Sequence, residues 1–155
     1  LKSIGFSDPY FYTGLCVLLN KERTDITDAF DLNAEGIVIA VKTGTTGDMI
    51  ATKMFPNAEI MRYKDETACV REVVTGRADA FFYDQLSIAK HHGENPDTTL
   101  ALLEPFTTEG FSIAIRKGDY DFATWLNVFL ETIRNDGRYD ELYYTHFKDL
   151  LKLEQ

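Results

Sequence analysis

The sequence predicts an α/β fold in which a mostly parallel sheet is flanked by helices, and three observations lead to this prediction. Apolar runs of strand length alternate with helical segments between residues 37 and 89. Turn-forming residues separate these segments. The C-terminal third instead carries apolar residues at spacings of three and four, which is typical of packed helices. Strands that alternate with helices form a mostly parallel sheet with the helices on its faces.

The individual elements follow from local pattern. Short apolar runs rich in β-branched residues predict strands, namely 14–20, 36–41, 58–63, 78–83, 99–103 and 111–115. A helix is predicted over 47–55, where Pro56 stops it. Asp65 is suited to cap a second helix and Gly76 to end it. Further helices are predicted through residues 88–89, from 122 to a stop at Gly137, and from about Asp140 onward.

Composition narrows the class of protein. The 155 residues are 45% hydrophobic and 26% charged, which is typical of a soluble globular domain. The formal net charge of −9 argues against nucleic-acid binding, which needs a basic surface. No apolar run is long enough for a membrane span. Cys16 and Cys69 form no CxxC pair, and no His/Cys cluster has metal-ligand spacing, so neither a metal nor a cofactor is expected. Both cysteines are interpreted as buried apolar residues, with a disulfide as the less favoured alternative.

The segment VKTGTTGD follows a predicted strand and opens a helix. The first amides of a helix lack internal partners and, with the helix dipole, favour an anion. Gly44 and Gly47 would let the backbone approach a ligand, Thr45 and Thr46 add hydroxyl groups, and Lys42 adds a positive charge if its side chain turns inward. The local alternative is that a threonine only caps the helix, and on this segment alone that alternative is favoured. The spacing of a P-loop is absent.

Asp84 ends the aromatic strand FFYD. A carboxylate at the carboxyl edge of a sheet suits an ammonium group, although aspartate is also a common helix cap. The pair of features is more informative than either alone. A carboxylate-binding loop and an ammonium-binding aspartate at neighbouring strand ends predict a site for a zwitterion such as an α-amino acid.

Five segments, in order, resemble the bacterial extracellular solute-binding proteins of family 3, which bind polar and basic amino acids. The segments are FSDPYFYTG (6–14), VKTGTT (41–46), VVTGRADAFFYD (73–84), GFSIAIRKGD (110–119) and WLNVFLETIRNDGRYDELYYTHF (125–147). Each motif is weak alone, but their common order over almost the whole chain supports the resemblance.

The resemblance implies a two-lobe Venus-flytrap fold of the type II periplasmic-binding-protein class that closes about a hinge. It implies that Thr45 and Thr46 contact the ligand carboxylate, that Asp84 holds its ammonium group, and that Lys42 and Thr43 lie near the ligand. The strand-end tyrosine is expected to line the pocket. The implied ligand-binding set is therefore Lys42, Thr43, Thr45, Thr46, Tyr83 and Asp84.

By the same resemblance, residues 1–19 correspond to the end of a first lobe and an interlobe strand. Residues 20–106 correspond to the second lobe, and 107–155 to the returning strand and C-terminal helices of the first. Family members carry most of a first lobe before the FSxPY segment, where this sequence begins. We therefore expect apolar residues at 6–11 and 122–133 to be bare and this piece to self-associate, as a domain-swapped homo-oligomer. Tyr10 and Phe11 are interpreted as packing residues rather than as ligand wall.

The function implied is the substrate-binding component of an amino-acid ABC transporter, with an amino acid and a membrane permease as partners. Its implied location is periplasmic or extracellular, with a lipid anchor as an open alternative. The chain is not expected to be an enzyme. The alternatives are a periplasmic enzyme similar to cyclohexadienyl dehydratase and the ligand-binding sensory domain of a receptor. No Ser-His-Asp or Cys-His set suggests catalysis. His91 and His92 are interpreted as part of a solvent-facing surface loop.

Overall fold

The computed structural model describes residues 3–151, which divide into two compact units. Unit 1 contains the described residues up to Thr13 and from Thr108 onward, and unit 2 is Gly14–Thr107. Unit 2 thus begins before residue 20, because the strand that ends there pairs inside its sheet. The assignment of the units to lobes stays a prediction.

Nine strands and five α-helices follow one another through residues 3–151. The strands are β1 Ile4–Phe6, β2 Phe11–Thr13, β3 Leu15–Asn20, β4 Val38–Lys42, β5 Glu59–Tyr63, β6 Ala80–Asp84, β7 Thr99–Leu102, β8 Glu109–Phe111 and β9 Ala114–Arg116. The helices are α1 Thr46–Met54, α2 Glu66–Val74, α3 Gln85–Glu94, α4 Tyr120–Asn135 and α5 Arg138–Leu151, and a short 3₁₀ helix covers Ala29–Leu32. None of the helices described is both long and apolar enough to cross a membrane.

Unit 2 is built on a five-stranded sheet in the order β5-β4-β6-β3-β7. Strand β4 pairs in parallel with β5 and β6, whereas β3 is antiparallel to both β6 and β7. Four of the five strands therefore run in one direction, which agrees with the predicted α/β class. The reversed direction of β3 was not predicted, because a fully buried strand has the same apolar pattern in either orientation.

Side chains alternate across this sheet and supply two cores. One contains Ile39, Val41 and Phe82, and the other contains Ala40 and Phe81 together with both cysteines. Cys16 and Cys69 are buried and free, as the preferred interpretation expected. Burial raises the pKa of each thiol to about 12, so both behave as apolar packing groups.

Unit 1 contains two short antiparallel ladders, β1 with β9 and β2 with β8. The single strand predicted over 111–115 is wrong, because the ladder is interrupted where Ser7 precedes Asp8 and Pro9. At that point the amide of Ile113 donates to the Ser7 hydroxyl (3.0 Å) instead of to a backbone carbonyl. Proline cannot donate to a ladder at all.

The C-terminal helices form where the apolar spacing predicts them. Gly137 has φ +87° and separates α4 from α5, which begins two residues earlier than predicted. Only part of the predicted apolar face of α4 is bare. Leu126, Leu130 and Ile133 are buried, while the neighbouring stripe of Phe122, Trp125 and Phe129 is exposed.

Two of the three aromatic residues of the FSDPYF segment, Tyr10 and Phe11, differ in burial. Phe11 is buried, which agrees with its interpretation as a packing residue but shows the expectation that it is bare to be wrong. Its ring stacks on that of Phe147 with 5.2 Å between centroids. Tyr10 is exposed, so its interpretation as a core residue is wrong. Tyr10 lies just before β2, whose alternating residues Phe11 and Thr13 supply the buried side chains.

Candidate functional site

The carboxyl ends of β4 and β6 lie side by side at one edge of the unit 2 sheet. Ala40 is paired with Phe81 in parallel register, so continuing both strands by two residues places Lys42 beside Tyr83. The loop that follows β4 and the aspartate that ends β6 are therefore neighbours. We call residues 42–47 with Tyr83 and Asp84 the site rim; it contains all six predicted ligand-binding residues.

The first turn of α1 lies directly against β6. A Cβ atom added to the buried Gly47 would stand 2.8 Å from the carbonyl oxygen of Phe82. The expectation that Gly47 frees the backbone for a ligand is therefore corrected, since its close neighbour is a strand. Gly44 has φ +76°, a left-handed conformation that favours glycine, and its amide donates to Asp48 Oδ2 (3.0 Å).

Hydrogen bonds within the rim hold the threonine loop in shape. The Thr45 side chain caps α1 by accepting from the amide of Asp48 (3.3 Å), and its hydroxyl donates to the carbonyl of Lys42 (2.8 Å). Thr43 donates to the carbonyl of Tyr63 through both its amide (2.9 Å) and its hydroxyl (3.0 Å). Thr46 is the first residue of α1. The capping alternative is thus realised for Thr45, and it leaves the positive end of the α1 dipole facing the rim.

Asp84 is the N-cap of α3. Its Oδ1 accepts a hydrogen bond from the amide of Ser87 (3.0 Å), and the residue is half-buried. The capping alternative is therefore realised here as well. A carboxylate has about four acceptor positions on its two oxygens, so capping one amide is compatible with accepting hydrogen bonds from an ammonium group.

Lys42 is engaged by two side chains. Its Nζ lies 2.9 Å from Glu66 Oε1 and 3.3 Å from the Tyr83 hydroxyl, and 5.5 Å from the centroid of the Tyr83 ring. The bonds to Glu66 and Tyr83 raise the pKa of Lys42 above its ordinary value. Burial acts to raise the pKa of Glu66, but the hydrogen bond and charge of Lys42 outweigh it, so that pKa is lowered. The pair is a lysinium and a carboxylate at neutral pH.

The interpretation of the histidines as a surface loop is wrong. Both lie in α3, and His91 is buried because it stands three residues after the buried Ile88, on the same helix face. Its Nδ1 is 3.2 Å from Glu94 Oε2 and its Nε2 is 3.7 Å from Glu66 Oε2. His92 Nδ1 lies 3.1 Å from the Thr99 hydroxyl.

Glu66, a partner of the rim lysine, was not predicted from the sequence. It stands at the start of α2, where an acidic residue is ordinarily explained by the helix dipole, and 24 residues separate it from Lys42. Asp48 was not predicted, for the same reason. Its carboxylate accepts hydrogen bonds from Arg62 Nε (2.9 Å) and from the Gly44 amide (3.0 Å). Only the parallel pairing of β4 with β5 brings these partners together.

Comparison with known proteins gives a consistent result. The family model described as bacterial extracellular solute-binding proteins, family 3, matches residues 1–149. A probable histidine-binding protein of Neisseria gonorrhoeae is 34% identical over 152 residues, covering 94% of this chain and 55% of that protein. The chain thus spans about half the length of this relative.

Two solved structures are similar to the chain. The putative binding component of an ABC transporter from Wolinella succinogenes, complexed with lysine, has a TM-score of 0.85 and 33% identity, over 92% of this chain and 62% of that one. The ancestral amino-acid-binding protein AncCDT-1, described as a precursor of cyclohexadienyl dehydratase, has a TM-score of 0.80 and 35% identity, over 93% and 62%. Both likenesses cover most of this chain, and both agree with the predicted fold class.

Proposed function

Since the chain belongs to the bacterial extracellular solute-binding proteins, family 3, we propose that its full-length protein binds an α-amino acid for an ABC transporter. The observation that carries this proposal is the site rim, where the N-terminus of α1 and the carboxylate of Asp84 are adjacent at one edge of the sheet. An α-amino acid carries two opposite charges that complement these two groups, and a relative named for histidine and a neighbour complexed with lysine support that class.

The proposed contacts follow from electrostatics. A zwitterion is costly to bury unless both of its charges are paired. The N-terminus of α1, with Thr45 and Thr46, offers the positive end of a helix dipole to the ligand carboxylate. Asp84 offers a carboxylate to the ligand ammonium. Lys42, Thr43 and Tyr83 complete the proposed set around these two contacts.

The test is to replace Asp84 in the full-length gene product and to measure the binding of lysine, histidine and glutamine by calorimetry. Asp84→Ala leaves the ligand ammonium unpaired, which is expected to cost about 3–5 kcal/mol of binding free energy. Asp84→Asn retains a helix-capping side chain but removes the charge, and it should also weaken binding.

The matched control is Asp119→Asn. Asp119 caps α4 in unit 1 by accepting from the amide of Phe122 (3.2 Å), and it has no place in the proposed contacts. This variant should bind as the unsubstituted protein does. Affinity that stays unchanged in both Asp84 variants would remove Asp84 from the site.

The likeness to AncCDT-1, the described precursor of a dehydratase, raises catalysis as a second candidate function. Catalysis needs a positioned general acid or base. Near the rim, Glu66 contacts both Lys42 and His91, and we propose that this cluster serves binding rather than proton transfer. The full-length protein is therefore expected not to convert prephenate or arogenate, and turnover of either would reverse this choice. The sensory-domain alternative predicts a receptor domain elsewhere in the same gene product.

The remaining partners are also proposals. Family membership supports a location outside the cytoplasm, and we propose a membrane permease as the protein partner, with a periplasmic or lipid-anchored placement. We also propose that the 155-residue chain self-associates through the exposed stripe of Phe122, Trp125 and Phe129 on α4, by exchange of its C-terminal helices.

A further inference from the structure

The ion pair between Lys42 and Glu66 lies on one face of the unit 2 sheet. Side chains alternate along β4, so Lys42 projects to the face of Ala40, where α2 and α3 pack. Tyr83 projects to that face from β6, and its ring stacks on Phe81 with 5.2 Å between centroids. The lysine therefore starts at the rim but carries its ammonium toward the N-terminus of α2.

Glu66 is well placed to hold the Lys42 ammonium near the N-terminus of α2. As the first residue of α2, it sits where a helix dipole favours negative charge. Its two oxygens face two different groups, with Oε1 at 2.9 Å from Lys42 Nζ and Oε2 at 3.7 Å from His91 Nε2. The side chains of Lys42 and Glu66 are 31% and 30% exposed, so the pair is partly accessible without being fully solvated.

The pair contributes to the net charge around the rim. The rim carries one cation, Lys42, and one carboxylate, Asp84. Because Glu66 compensates Lys42, the one positive charge of the rim is already paired, and the summed charge of Lys42, Glu66 and Asp84 is −1. Without Glu66 the sum would be zero, and the ammonium of Lys42, the last residue of β4, would be left uncompensated.

We infer that Glu66 is a specificity-determining residue that acts through Lys42. By compensating the lysine charge, it makes the site favour amino acids with neutral or cationic side chains over those with acidic ones. This inference rests on the proposed function. It concerns the ligand side chain, and the contacts to the α-carboxylate and α-ammonium are separate from it.

Glutamine and glutamate are the suitable probes, because they have nearly the same shape and differ in the charge of the side chain. In the full-length protein, the ratio of the two dissociation constants is measured by calorimetry for the unsubstituted chain and for Glu66→Gln. The variant should shift this ratio toward glutamate by about tenfold, which corresponds to about 1.4 kcal/mol. Glu66→Asp, which retains the charge, should restore most of the original ratio.

Two controls separate this role from a structural one. Glu59→Gln makes the same change of charge at the opposite end of the sheet, where β5 begins, and should leave the ratio unchanged. In a Lys42→Met background, Glu66→Gln should shift the ratio toward glutamate clearly less, since no lysine ammonium is then released from its partner. A general loss of stability would weaken both ligands alike and leave the ratio as it was.

The outcomes are distinguishable. An unchanged ratio in Glu66→Gln, with amino-acid binding retained, would overturn the inference and leave the proposed function intact. An equal shift with and without Lys42 would also overturn it. A full-length protein that binds no amino acid would overturn the proposed function, and this inference with it.

Discussion

At the scale of single residues, the site rim depends on two glycines for different reasons. Gly44 adopts a left-handed backbone conformation with open space around it, whereas Gly47 is required because α1 lies against the carbonyl of Phe82. Both occur in one GTTG segment, where the sequence does not separate conformational need from close approach. The structure shows that Gly44 is needed for its backbone conformation and Gly47 for the close approach of α1 to β6.

The close approach can be tested by Gly47→Ala. The new Cβ would stand 2.8 Å from a backbone oxygen, so α1 or β6 has to shift. Overpacking of this kind is expected to cost about 1–3 kcal/mol of unfolding free energy, measured by urea denaturation. Gly93→Ala in α3 is the control, since nothing lies within 4 Å of its added Cβ. It should be neutral or stabilise by up to about 1 kcal/mol, and equal effects at both positions would contradict the packing argument.

At the scale of elements, helix α2 is held at both ends by acidic side chains. Asp65 caps its first turn by accepting from the amide of Ala68 (2.8 Å). Near its last turn, the buried Glu72 accepts from Arg77 Nη2 (2.7 Å) across the turn that leads to β6. The hydrogen bond from Arg77 lowers the pKa of Glu72 below its ordinary value.

The lowered pKa of Glu72 makes the unfolding free energy depend on pH in a definite direction. A carboxylate with a lowered folded-state pKa stabilises the fold above its ordinary pKa and loses that contribution as the pH falls through the folded-state value. Unfolding free energy should therefore decline as the pH falls below about 4.5, in urea titrations at a series of pH values. Glu72→Gln should be less stable at pH 7 and should lose less on acidification. The exposed Glu22→Gln is the control and should follow the unsubstituted protein; an unaltered acid slope in Glu72→Gln would refute this role.

At the scale of the whole molecule, unit 1 exposes an aromatic ladder on α4. The rings of Phe122, Trp125 and Phe129 are stacked in sequence at centroid distances of 6.0 and 5.8 Å. Trp125 is 61% exposed, although its indole ring is among the groups whose removal from water is most favourable. Such a surface favours association of the 155-residue chain with a second copy.

The association can be measured by light scattering over a range of concentrations. The unsubstituted 155-residue chain should show a mass above that of a monomer, and the double variant Trp125→Ser with Phe129→Ser should lower it. Tyr144→Ser, at an exposed position of α5, is the control. A monomer at every concentration for the unsubstituted chain would contradict the proposal.

The sequence by itself determined the fold class, the strands and helices of unit 2 and the C-terminal helices, because strand alternation, helical periodicity and capping residues are local properties. It did not predict the short strands β1 and β2. It also predicted that the threonine loop and Asp84 end neighbouring strands, and the paired β4 and β6 agree with this. Tertiary structure alone decided the direction of β3, the split of the 111–115 strand, the burial of His91 and the pairing of Lys42 with Glu66. These depend on contacts between residues distant in the chain, and such contacts leave no periodic trace in a single sequence.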